Sequence, residues 1–144
     1  MSQKRRPIAK STPKSFANTK HRLGRSEAEA WLRKATELLK AADLLWAQFL
    51  DDLQAFSEDR KLDEPSIENQ ALMLYGFAIE NLLKAGLIAR GSVNTSPKNF
   101  SLTSHNLIEL SDQFGLSLSD DELVRLQKLE EFIIWKSRHI IRNP

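Results

Sequence analysis

From Trp31 onward, apolar residues return at steps of three and four: Trp31, Ala35, Leu38, Leu39, Ala42, Leu45, Trp46, Phe49, Leu53 and Phe56. That is the period of one buried face of an α-helix. Ser26 with Glu29 three positions later forms a capping-box pattern, in which the hydroxyl and the carboxylate each satisfy a free backbone N–H, so the helix is predicted to start at Ser26. At about 1.5 Å per residue it should run roughly 45 Å and form one edge of a bundle. The stretch "SEDRKLDEPS" breaks the pattern with charge and with Pro65. A second helix is expected from near Ser66 to Gly91, a natural C-terminal cap.

The second helix is apolar around most of its circumference. Ala71, Leu74, Tyr75, Ala78, Leu82 and Ala85 make one face, flanked by Leu72, Ile79, Leu83 and Gly86 on one side and by Phe77 and Ile88 on the other. The strip left over holds Gly76, Glu80, Lys84 and Leu87, and it is the expected wet edge. A helix of this kind is either central in its bundle or shared with a partner subunit. "SVNTSPKNFSLT" reads as a loop. "TSHNLIELSDQFG" predicts a short third helix capped by Thr103 or Ser104 and stopped at Gly115. The fourth starts after Ser119, with Asp120, Asp121 and Glu122 favourably placed against the helix dipole. Its inner face is drawn from Leu123, Leu126, Leu129 and Ile133. No segment alternates with period two and no repeat is present, so the expected class is an all-α, up-and-down bundle of four main helices.

Charge divides the chain. Residues 1–25 hold eight of the 21 basic residues and none of the 19 acidic ones, leaving thirteen against nineteen in residues 26–144. The first segment, rich in Ser, Thr and Pro, has too few apolar residues to offset the entropy of ordering and is expected to be a disordered basic tail ahead of one domain. It has no apolar core of a secretory signal, though an organelle transit peptide would share its composition. Such a tail either holds nucleic-acid phosphates, with Lys4, Arg5 and Arg6 the densest cluster, or is a solvated leader that keeps an acidic domain soluble.

The composition removes several chemistries. Cysteine is absent, which excludes disulfides, thiolate metal sites and a cysteine nucleophile. His21, His105 and His139 are too scattered to suggest a metal site, and no metal or cofactor is expected. No membrane span is expected either, because Glu80, Lys84 and Arg90 interrupt the longest apolar run. A cytoplasmic location is the corresponding expectation.

The order of the four elements resembles the HEPN superfamily. The segments that carry the resemblance are the long first helix, "YGFAIENLLKAGLIARG" on the second, "TSHNLIEL" opening the third and "LEEFIIWKSR" closing the fourth. Together they span roughly Ser26 to Arg138. The resemblance implies a compact bundle that dimerises through its apolar helices and a link to RNA processing, phage defence or toxin and antitoxin systems. It also implies metal-independent ribonuclease activity where an Arg is followed, after four to six intervening residues, by a His. That pairing is missing here: counting on from Arg138 reaches Asn143, Pro144 or the end of the sequence, and none of the three histidines has an arginine at the required distance before it. "WKSRHIIRNP" instead resembles a branch whose ribonuclease pattern is not evident.

Candidate site residues follow from both lines of reasoning. Glu80, with Asn81, either faces Arg138 and shapes a polar pocket for a phosphate, or pairs with Lys84 on the exposed strip for a few tenths of a kcal/mol; the wheel favours the exposed pair. His105 is either a phosphate contact or a first-turn residue held by local hydrogen bonds. Arg138, His139 and Arg142 make a basic cluster at the end of the fourth helix, where the dipole favours cations in any case. Trp31, Trp46, Trp135 and Tyr75 are expected to be core or interface anchors before stacking platforms for bases. The leading expectation is a non-catalytic HEPN-like binding and assembly module, a homodimer, with RNA or a nucleotide as ligand. The alternatives are a metal-independent endoribonuclease built on Arg138, His139 and Glu80, and a subunit that binds only a cognate partner protein.

Overall fold

A computed structural model describes the backbone of residues 13–91 and 104–139 and the side chains of residues 26–91 and 104–134. The described residues form four helices: α1 (Pro13–Glu58), α2 (Glu68–Ala89), α3 (Leu107–Phe114) and α4 (Asp120–His139). There is no strand among them, so the all-α class stands. The predicted start at Ser26 is not where α1 begins. The helix runs through Ser26 from Pro13, a residue that suits a first helical position because its missing N–H would have had no intrahelical partner. At 46 residues, α1 is about 69 Å long. Residues 13–25, expected within a disordered tail, belong to its backbone, and residues 1–12 lie outside the described part.

α2 sits between the others, with α1 on one side and α3 and α4 on the other. Small residues explain the close approach. Ala28, Ala35 and Ala42 recur every seven positions on α1, as do Ala71, Ala78 and Ala85 on α2, and all six are buried. The two helices are antiparallel, since Ala28 meets Ile88 near one end and Asp43 meets Tyr75 further along. On the opposite side of α2 the small residues are glycines. A Cβ at Gly76 would stand 2.8 Å from Cδ1 of Ile133 on α4, and one at Gly86 would overlap the Phe114 ring of α3. Leu87, Leu107, Leu110 and Ile133 are fully enclosed here, each such side chain contributing about 1.5–3 kcal/mol by its transfer from water.

The expected inner face of α2 is largely buried, with Ala71, Ala78 and Ala85 enclosed, but the strip expected as a wet edge is buried as well. Gly76, Glu80, Lys84 and Leu87 are buried, whereas Leu82, assigned to an inner face, is 53% exposed. The up-and-down alternation is also not kept at α3. His105 lies at Glu80, Leu110 packs with Leu83 and Leu87, and Phe114 lies at Gly86, so α3 advances along α2 in the same sense.

Helix ends follow local chemistry. Gly91 (φ +68°) and Gly115 (φ +81°) take the left-handed conformation that stops α2 and α3. The N-cap of α3 is Asn106, whose side chain accepts from the Glu109 N–H at 2.8 Å. It displaces the expected Ser104, whose hydroxyl accepts from the Asn106 N–H one step outside; Thr103 is outside the described residues. At α4, Ser119 and Glu122 form a reciprocal capping box, and the donated hydrogen bonds from Ser119 hold the Glu122 carboxyl below its ordinary value.

α2 is long and apolar enough to cross a membrane by length and composition alone, a test that a buried core helix also passes, and 56% of its most apolar window is buried inside this fold.

Candidate functional site

The polar centre of the molecule is built on α2. Glu80 and Lys84 stand one turn apart, and both are enclosed, at 4% and 2% exposure. Lys84 Nζ donates to Glu80 Oε1 at 2.5 Å. Two neighbouring elements close around the pair. From α1, the Trp31 ring lies with its centroid 5.4 Å from Lys84 Nζ, a cation–π contact in a site shielded from water. From the segment leading into α3, Nδ1 of His105 lies 3.1 Å from Oε1 and 3.0 Å from Oε2 of Glu80.

Sequence dictates this arrangement in steps. The i, i+4 spacing lets Glu80 and Lys84 meet on one helix face. Trp31 reaches them because the antiparallel alanine seam sets α1 alongside the last two turns of α2. Capping by Ser104 and Asn106 fixes the chain entering α3, and Phe114 against Gly86 fixes its far end, so His105 is delivered over Glu80. Arg90 secures that far end from above: its guanidinium stacks on Phe114 at 3.9 Å and donates to the Phe114 carbonyl at 2.5 Å.

The electrostatics are asymmetric. A buried carboxylate costs several kcal/mol unless it is paired and hydrogen-bonded, and here Lys84 supplies the charge and His105 a further donor. A carboxylate only accepts, so the His105 nitrogen facing it carries the hydrogen. Nε2 is then the free atom of a side chain that is 55% exposed. The result is an oriented, half-exposed imidazole resting on a buried ion pair, its second nitrogen an acceptor in the neutral ring and a donor in the imidazolium. It can accept a hydrogen bond from a hydroxyl or amide, take up a proton, or, once protonated, hold a phosphate.

The exposed ion pair expected for Glu80 and Lys84 is therefore overturned: both are buried, and the self-neutralising pair with its imidazole and indole neighbours is what permits it. His105 is more than a first-turn residue with local bonds, since its partner is 25 positions away. Asn81 is buried, but its amide donates back to the Phe77 carbonyl at 2.6 Å and its Oδ1 meets no hydrogen-bond partner, so it is not part of the His105 chain. The side chains of Arg138 and His139, in the last turn of α4, lie outside the described residues, as do Arg142, Lys4, Arg5 and Arg6. Lys84 and Trp31 are the members that sequence reasoning left out of the site. Trp46 stacks obliquely on Phe49 at 5.3 Å, a packing contact along α1.

Among the described residues no three His, Asp or Glu side chains converge as a metal site. Compared with protein-family models, with curated proteins and with solved structures, the chain has no match.

Proposed function

We propose that the chain is a HEPN-like binding and assembly module whose ligand is RNA or a nucleotide, with no chemistry required of it. The observation that supports this reading is the exposed His105 imidazole tied through Nδ1 to a carboxylate that the fold has buried and neutralised. A structural histidine would not need so costly a support, whereas a ligand contact gains from being held in one orientation before the ligand arrives. The basic residues of the first segment would add sequence-independent attraction for phosphates. In this reading two copies assemble, a cognate protein joins them, and the setting is a cytoplasmic defence or toxin and antitoxin system.

The test is a binding titration of the full chain with a fluorescent mononucleotide and with a short structured RNA. His105→Ala should weaken binding by about tenfold, the loss of one good polar contact, while the circular dichroism spectrum stays unchanged. Equal affinity of wild type and variant for both probes would remove the proposal.

A second reading is favoured by the same pair. A carboxylate holding Nδ1 of a histidine is the arrangement that orients a general base, so a metal-independent endoribonuclease would use His105 where the sequence suggested His139, with Arg138 to hold the phosphate. RNA cleavage in the presence of EDTA, lost in His105→Ala, would select it over simple binding.

A further inference from the structure

The charge of Lys84 is already committed. Its ammonium is enclosed, donates to Glu80 Oε1 at 2.5 Å and lies over the uncharged Trp31 ring of α1. Among the described residues, the charged groups hydrogen-bonded to the segment that carries His105 are all carboxylates. Glu80 of α2 holds the ring itself, Glu109 of α3 accepts from the Ser104 hydroxyl, and Glu130 of α4 accepts from the Ile108 N–H at 3.3 Å. A phosphate at the half-exposed imidazole adds negative charge beside these acids and a cation that is spent. A neutral ring does not hold it, because the free nitrogen and the phosphate oxygens are both acceptors.

We infer that the site takes a phosphate only together with a proton, which enters at Nε2 of His105. Geometry fixes the atom. Nδ1 lies 3.1 Å and 3.0 Å from the two Glu80 oxygens, which only accept, so its hydrogen stays in place and the added proton has Nε2 alone to go to. The Nε2 lone pair binds the proton from solvent, and no bond to phosphorus is made or broken. The new N–H then donates to a phosphate oxygen in a charge-assisted bond, about twice as strong as a neutral one. The imidazolium is held between two anions, Glu80 beneath it and the phosphate outside.

This rests on the ligand reading above and deepens it, since it names the phosphate as the group that His105 meets. A ribose hydroxyl or a base amino group would instead donate to the neutral ring and need no proton. Binding that takes up one proton weakens as pH rises, by about tenfold for each pH unit once ring and phosphate are both deprotonated in the free state.

Isothermal titration calorimetry of the full chain with adenosine monophosphate, at about pH 8 where a histidine is ordinarily neutral, in two buffers of different ionisation heat, counts the protons. Uptake of about one proton per bound nucleotide is expected. It should be absent with adenosine and absent in His105→Gln, whose amide keeps a donor for Glu80 but cannot be charged. Nucleotide bound without proton uptake, while His105→Ala still weakens it, would overturn the inference and leave the ligand reading standing. Adenosine bound as tightly as its monophosphate would do the same. Uptake that persists in His105→Gln would place the proton elsewhere and overturn the inference, and no binding of either probe would overturn both.

Discussion

Nδ1 of His105 lies 3.0 Å from Oε2 of Glu80, which joins an imidazole open to solvent to a carboxylate sealed beneath it. Lys84 completes the charge balance from the next turn of α2. The most apolar helix among the described residues therefore carries its polar centre on its inward side, and what reaches the surface is the half-exposed His105 ring.

Removing one member of the buried pair should cost far more than removing both. Lys84→Met leaves Glu80 without its cation in a dry site, and Glu80→Leu strands the ammonium; each should destabilise the fold by about 3–5 kcal/mol, while the double substitution should come close to wild type. Urea unfolding of the four proteins measures this, and additive single losses would show that the two charges do not depend on each other.

The glycines of α2 should differ from the glycine that ends it. Gly76→Ala and Gly86→Ala press a methyl into Ile133 and Phe114, costing about 1–3 kcal/mol as overpacking. Gly91→Ala meets no atom within 4 Å and carries only the strain of φ +68°, about 1–2 kcal/mol. Thermal unfolding with crystal structures of the variants separates the two causes, since only the first pair should displace α3 or α4.

Tyr75 should titrate late. The hydrogen bond it donates to Asp43, then burial, then the Asp43 charge push its phenol from 10.0 up to about 12. A raised value means the neutral form is favoured by folding, so the stabilisation is complete below pH 10 and lost as pH rises through about 12. Tyr75 is the single tyrosine, so its ultraviolet absorbance reports the transition directly. Asp43→Ala should return it towards the ordinary value.

Helix number and type were legible in the sequence, because apolar spacing of three and four residues and the glycine stops at Gly91 and Gly115 act locally. The central place of α2 was legible too, from its apolar circumference. The burial of its polar strip was not. A helix apolar all round has no polar face to orient it, and Glu80 and Lys84 read as that face, although an i, i+4 pair of opposite charges can neutralise itself and go inside. Gly76, on the same strip, is where Ile133 and the Leu129 carbonyl of α4 pack against α2. The start of α1 was missed because the Ser26 and Glu29 pattern also fits inside a helix, and a cap exists only if the chain turns there. For the candidate site, Glu80 and His105 were marked singly. Their meeting depends on α3 running alongside α2, a long-range relation that spacing does not encode, and Trp31 enters the site for the same reason.

Nitrogen NMR of the His105 ring, recorded on the full chain before and after addition of a mononucleotide and then of a short RNA, addresses the central claim most directly. The expected result is a hydrogen on Nδ1 in the free protein and a ligand-induced change at Nε2 with Nδ1 unmoved. A hydrogen on Nε2, or a ring indifferent to both ligands at saturating concentration, would contradict it.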